Sequence, residues 1–349
     1  MRASILLLVL LFAFSPPVIA GIEVLSEEVY SDLGSEWGFS ASPDGSQFTY
    51  VDRVLLRSRD VMCKLYVVEA KTGSRRHVYS AWDIESLKWL GQDEFYFAVR
   101  DTADLVDRIK HYKDGVVATV TEGCRFYSLS PDGKRIVYRA SYTHNERNAR
   151  IYIANIDGSE QRLLTRGHDP NWLKGDLIAL ECIEPDSVTG RWGQLMVLYD
   201  LEGHRVKTLG CGLVPQASPD KRYLAFDYRP VDSNPPDMAV VDVEDSVLAV
   251  RVLVKARRNW YPEDFSWAPT SDALVFVRNT ADSLEDASQV CCSHANLCVV
   301  DLEANLVELT PGVRGVFEDT PVWTEGGILF RREGGNAPMR HLRLRVVKK

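Results

Sequence analysis

The chain has 349 residues, 45% hydrophobic and 26% charged, with a net charge of −8. That balance excludes a disordered or fibrous chain, and an acidic surface has no general attraction for phosphate backbones, so nucleic acid is not an expected partner. Eight Trp, 14 Tyr and 12 Phe beside 23 Gly and 16 Pro favour short strands joined by tight turns over a helical bundle.

Arg2 precedes an apolar run from Ile5 to Phe14, followed by Ser15-Pro16-Pro17 and the small-residue site Val18-Ile19-Ala20. This reads as a signal peptide over residues 1–20, cleaved near Ala20, with a single domain over 21–349 that is periplasmic or secreted. The run is too short to span a bilayer and no later stretch reaches about 18 apolar residues, so no transmembrane anchor is expected.

Past the leader the chain repeats itself. Phe39–Tyr50 carries Ser42-Pro43-Asp44-Gly45 between two apolar segments, and Leu87–Val99 keeps the same frame without Pro-Asp. Tyr127–Tyr138 repeats the motif as Ser130-Pro131-Asp132-Gly133, and Asn171–Leu180 again keeps only the frame. Gln216–Phe226 holds Ser218-Pro219-Asp220, Phe265–Phe276 holds Ala268-Pro269, and Val322–Phe330 is a last degenerate copy. Proline fixes φ, Asp bonds back to the turn and Gly supplies a positive φ, so each motif predicts a tight hairpin.

Taking Pro43 as the ruler, equivalent positions are 41 to 55 residues apart, close to the ~40 to 50 residues of a four-stranded propeller blade. The third module shows two further strands, Arg150–Asp157 and Gln161–Thr165, around the turn at Gly158. The last module has only three strands of its own, and Ile22–Tyr30 can supply the fourth, joining the two ends of the chain. The expected fold is all-β: a seven-bladed β-propeller of four-stranded antiparallel blades, closed by pairing of the N- and C-terminal strands, with six blades as the alternative count.

Ser42-Pro43-Asp44-Gly45, Ser130–Tyr138 and Ile151–Thr165 resemble the PD40-type repeats of the TolB-like β-propellers, and the resemblance extends over essentially the whole mature chain. It implies the propeller fold and leaves function open, since such propellers serve as periplasmic scaffolds, as accessory domains of peptidases and as sugar-acid lyases. Two departures stand out. The namesake carries an α/β domain ahead of six blades, and the peptidases attach a hydrolase domain; neither has a counterpart in this sequence.

Long irregular segments at Asp52–Met62, Asp101–Arg108, Tyr142–Asn148, Glu184–Gly193, Pro230–Asp237 and Asn279–Ala295 mark one face of the propeller, where binding residues concentrate. Arg53, Arg100, Arg139, Arg229, Arg278 and Arg331 end the second strand of six modules there, a possible cationic ring for a carboxylate or an acidic peptide. Cys63, Cys124, Cys182, Cys211, Cys291, Cys292 and Cys298 map to the same face and, in an exported chain, are disulfide candidates.

No nucleophile elbow, zinc-protease, phosphate-loop or dinucleotide motif occurs, so no catalytic residue, metal or cofactor is assigned. The expected function is a monomeric, non-enzymatic propeller scaffold that binds a protein or peptide of the cell envelope through its long-loop face. The alternative is a carbohydrate-active lyase or hydrolase centred on the channel mouth and drawing on His111, His144, His168 or His294.

Overall fold

The computed structural model describes residues 22–31, 37–55, 61–140, 149–185, 192–230, 235–281, 292–334 and 337–348. Strand β1 (Ile22–Ser31) is followed by a four-stranded antiparallel sheet of β2 (Trp37–Ala41), β3 (Gln47–Leu55), β4 (Val61–Glu69) and β5 (Arg75–Ala81). The next sheet holds β6 (Asp83–Gly91), β7 (Glu94–Arg100), β8 (Asp107–Lys113) and β9 (Val116–Glu122).

A ten-stranded run then joins β10 (Cys124–Leu129), β11 (Arg135–Ala140), β12 (Ala149–Asn155), β13 (Arg162–Leu173), β14 (Leu177–Pro185), β15 (Trp192–Tyr199), β16 (Arg205–Ala217), β17 (Tyr223–Tyr228), β18 (Asp237–Asp242) and β19 (Arg251–Val254). Two further sheets hold β20 (Trp260–Trp267) to β23 (Leu306–Glu308), through β21 (Ala273–Thr280) and β22 (His294–Asp301), and then β24 (Val316–Thr324), β25 (Gly327–Gly334) and β26 (Ala337–Lys348). Strand β1 completes the last sheet, pairing antiparallel with β26 from Ile22–Lys348 to Ser31–His341.

Within the ten-stranded run, β13 and β16 each serve two partners. The first half of β13 pairs with β12 up to Gly167 and its second half with β14 from His168; β16 passes from β15 to β17 between Cys211 and Gly212. An outer strand therefore becomes the next inner strand at a corner, with no loop. Glycine allows the second corner: a Cβ on Gly212 would lie 2.6 Å from the Phe226 ring.

The strands are apolar on both faces because both are covered. In β7, Phe95, Phe97 and Val99 pack against Val51, Leu65 and Val67 of the preceding sheet, while Tyr96 and Ala98 pack against Tyr127, Ile136 and Tyr138 of the following one. The last interface brings Leu329 against Phe48 and Tyr50 of the first full sheet, so the stack of sheets returns on itself. Burying each such ring contributes roughly 1.5–3 kcal/mol.

Hydrogen bonds between inner strands trace the same circle. Tyr127 Oη donates to the Ser86 carbonyl (2.9 Å), Trp172 N to Ser128 Oγ (3.0 Å), Ala217 N to Asn171 Oδ1 (3.2 Å), Trp267 Nε1 to the Gln216 carbonyl (3.1 Å) and Trp323 N to Ser266 Oγ (3.2 Å). Glu325 N to the Pro43 carbonyl (2.8 Å) and Gln92 Nε2 to Ser46 Oγ (3.1 Å) complete it. At the hairpins, Ser130 Oγ donates to Asp132 Oδ1 (2.6 Å) and accepts from Arg135 N (2.9 Å), with Gly133 at φ 68°, as the Ser-Pro-Asp-Gly motif requires.

Candidate binding site at the channel mouth

Strands β2, β6, β10, the second halves of β13 and β16, β20 and β24 face the axis, and each is interrupted by a one-residue bulge. Ser86 (φ 54°), Phe126 (47°), Asp169 (44°), Val214 (51°), Asp264 (44°) and Thr320 (46°) are the inserted residues, and β2 shifts register between Trp37 and Ser40. Positive φ is costly for any of these side chains and most for β-branched Val and Thr. Bulges re-aim side chains, and these lie near the long-loop end of the axis.

The residue before each bulge fixes what stands opposite on the second strand. Arg125 faces Arg139, His168 faces Glu181, Leu213 faces Asp227 and Asp319 faces Arg331, while Val51, Ala98 and Val277 hold the equivalent place in the other sheets. The six arginines therefore do not form one ring. Arg139 and Arg331 share a register; Arg53, Arg100 and Arg229 lie two residues further out; Arg278 lies one residue beyond Val277, on the opposite face of its strand.

Several of these arginines are engaged within their own sheets. Arg100 forks onto Asp107 (2.9 and 3.2 Å), Arg278 pairs with Glu308 (2.9 Å), and Arg331 forks onto Asp319, with Nε at 2.7 Å. Arg139 stacks over Phe126 at 4.1 Å and points Nη1 at His168 Nδ1, 3.3 Å away. A guanidinium has no acceptor, so Nδ1 accepts here. Arg229 is exposed and lies close enough to Asp227 and Glu181 to favour their charged forms.

Carboxylates in neighbouring sheets lack such partners. Glu181 is buried and accepts from Gln194 Nε2 (2.8 Å); burial, reinforced by the Asp169 charge, pushes its carboxyl up to about 7. Burial likewise raises Asp227 to about 7, with Glu263 and Asp264 adding to the push against Arg229. Glu263 accepts from Asn279 Nδ2 (2.7 Å), and both it and Asp264 are raised, first by desolvation. These last two reach solvent yet are crowded by protein, as side chains in the mouth of a bore are. Four carboxylates in three successive sheets thus face the mouth without a salt bridge among the described residues. No motif in the sequence marks them as a group, because they lie on strands of three different sheets.

The other expected residues disperse. His111 pairs with Glu94 (2.9 Å) on β8, His294 sits on β22 beside Ser293, and only His168 is on an inner strand; His144 lies outside the described residues. Cys63, Cys124, Cys182, Cys211, Cys292 and Cys298 are all thiols, so the expected disulfides are not formed among them. Cys63, Cys124, Cys182 and Cys298 belong to four different core clusters, and Leu195 separates Cys182 from Cys211 across β15, so these residues do not face one another. Burial pushes the Cys124 and Cys298 thiols up to about 12. Cys291 and most of the long-loop tips lie outside the described residues; among the described residues no helix is long and apolar enough to cross a membrane.

The arrangement of sheets is shared with solved structures. The propeller domain of the Trilobed protease from Pyrococcus furiosus superposes with a TM-score of 0.64 at 9% identity, over 87% of this chain and 93% of that one. The chain is a β-propeller. The Pyrococcus horikoshii acylaminoacyl peptidase matches with a TM-score of 0.63 at 11% identity, over 88% of this chain and 50% of the peptidase. TolB from Acinetobacter baumannii matches at 0.50 and 19% identity, over 81% of this propeller and 67% of that chain. No protein-family model and no curated protein matches the sequence. The Pyrococcus furiosus domain is described as having an open velcro topology, whereas in this propeller β1 pairs with β26.

Proposed function

We propose that this chain is a seven-bladed, exported propeller that binds a basic segment of a cell-envelope protein or peptide at its channel mouth. The count of seven is supported by the corners in β13 and β16, which divide the ten-stranded run into three groups of four. Export is supported by the leader pattern over residues 1–20, which lie outside the described residues. The reading assigns no catalytic residue and no cofactor.

The observation that carries it is the unequal pairing of charge at the mouth. Arg100, Arg278 and Arg331 are already held by carboxylates, while Glu181, Asp227, Glu263 and Asp264 make no salt bridge among the described residues, and Asp227 is crowded by Glu263 and Asp264 as Glu181 is by Asp169. An arriving Lys or Arg would relieve both their desolvation and their mutual repulsion. The proposed ligand is thus basic, where the arginines alone suggested an acidic one.

Zero-length carbodiimide cross-linking with a lysine-rich peptide tests this. Adducts are expected on Glu181, Asp227, Glu263 or Asp264 and not on the paired Asp107. Adducts spread over surface carboxylates, with none at these four, would sink the proposal.

A further inference from the structure

The hairpin of the last sheet is cut short, and a groove opens beside it. After β2, β10, β16 and β20, the backbone N–H groups of Ser42, Ser130, Ser218 and Ala268 donate to the carbonyls of Gln47, Arg135, Tyr223 and Ala273, so four residues form each turn. After β24, Thr324 pairs directly with Gly327, and only Glu325 and Gly326 remain to reverse the chain. This short turn leans on the first full sheet. Glu325 N donates to the Pro43 carbonyl (2.8 Å), and a Cβ on Gly326 would lie 2.7 Å from the Asp44 carbonyl oxygen, so no space is left on that side. On the other side, towards the turn between β20 and β21, lies a cavity of about 280 Å3.

Pro269 and Thr270 of the longer turn wall the groove on one side, Trp323 and Glu325 wall it on the other, and Val346 and Ile22 line its outer part. Ile22, Trp323 and Val346 are the half-buried fringe of the core between the two sheets, so the groove is largely apolar. Because β24 is the innermost and β1 the outermost strand of their sheet, the groove runs radially across three strand spacings, about 14 Å. Four or so extended residues at ~3.3 Å each cover that length. The volume falls below the roughly 300–1,000 Å3 of small-molecule sites, and suits one or two side chains better than a whole cofactor.

The polar groups around the groove are acidic or already engaged. Thr270 Oγ1 donates to Asp272 Oδ1 (2.6 Å), and Asp44 Oδ1 accepts from Ser42 Oγ (2.7 Å) and Ser46 N (3.0 Å). Glu325 is exposed, and its carboxylate makes no hydrogen bond or ion pair among the described residues. The other hairpins of this face carry Asp93, Asp132, Asp176 and Asp220, so its field opposes an anionic visitor. On β26, Arg343 donates to the Gly45 carbonyl (3.1 Å) on the far side of the short turn, and Lys348 stands opposite Ile22 at the outer end. The groove is therefore apolar along its length and negative at the end nearest the axis.

We propose that this groove receives an extended segment of a partner protein in which a large apolar side chain adjoins a lysine or arginine. The apolar side chain enters between Trp323 and Pro269, and the basic residue lies at Glu325. A purely polar basic segment gains nothing from the apolar walls, and an acidic one is opposed by the carboxylates. The groove lies at the opposite end of the strands from the mouth, and its test separates the two sites.

Photo-cross-linking of the full chain with a capped peptide of two photo-leucines followed by two lysines tests the proposal. Adducts within 268–270, within 323–325 or at 346 are expected; adducts confined to the mouth, scattered over the surface or absent would overturn it. Fluorescence anisotropy with the leucine form of the peptide, on a chain whose mouth carries Asp227→Asn and Glu263→Gln, should show one saturable site. Serine in place of both leucines should weaken binding about tenfold or more. Two substitutions at exposed positions act on the groove itself: Thr270→Trp fills it and Glu325→Lys reverses its charge, and each should weaken binding about tenfold or more. Undiminished binding of the serine peptide, or by either variant, would overturn the proposal. Sedimentation of the chain alone adds one more check: a dimer that Thr270→Trp dissolves would give the groove to a second copy, and would overturn the proposal as well.

Discussion

Arg332 on β25 reaches across β26 to fork onto Glu27 of β1 (2.6 and 2.9 Å), joining residues 305 positions apart at the seam of the ring. The same guanidinium donates through Nε to Glu318 (2.7 Å), a buried carboxylate that also accepts from Leu297 N (3.1 Å). The two contacts differ in kind: Glu27 can return to water, and Glu318 cannot.

Replacing these partners should therefore give unequal losses. Glu27→Ala removes an exposed pair and should cost less than about 1 kcal/mol. Arg332→Ala strands Glu318 in the interior and should cost about 3 kcal/mol or more. Urea unfolding of both variants checks the order, and equal losses would show that Glu318 does not depend on Arg332.

Glu181 should make the propeller less stable as pH rises. Its native carboxyl holds a proton up to about 7, whereas the unfolded chain releases it near 4.3. Between those values the native state binds more protons, so stability falls through that window and the loss is complete above it. Glu181→Gln should match the wild type near pH 4 and exceed it by up to about 3 kcal/mol at pH 8. Denaturant midpoints at the two pH values give the comparison; a variant advantage independent of pH would contradict it.

Val214 holds a left-handed backbone with an exposed side chain. Val214→Gly should relieve strain while losing little burial, raising stability by up to about 1 kcal/mol. A clear loss of stability in thermal unfolding would mean that the bulge is held by the valine side chain itself.

The contrast between Gly133 and Val214 explains what could be read from the sequence. The hairpins were legible because Ser130, Asp132 and Gly133 each do something the backbone demands locally, and β7 was legible because Phe95 through Val99 are apolar on both faces. The closing strand could be anticipated from a module one strand short. The mouth could not. Its bulges occupy Ser86, Phe126, Asp169, Val214, Asp264 and Thr320, of five residue types with only Asp repeated, and each inserted residue shifts the pairing by one. On the second strands Arg139, Glu181, Asp227 and Arg331 share one register, while Arg278 stands one residue further along its strand and so on the other face. The cysteines misled for a related reason: proximity to one end of their strands places them in different cores, not beside one another.

The most direct test of the central claim is the affinity of a fluorescent arginine- and lysine-rich peptide for the wild type and for an Asp227→Asn, Glu263→Gln double variant, measured by anisotropy at low and high salt. The charge arrangement predicts salt-sensitive binding that weakens about tenfold or more in the variant, and no binding of an acidic peptide of equal length. Unchanged affinity in the variant, or tighter binding of the acidic peptide, would contradict a mouth built to receive positive charge.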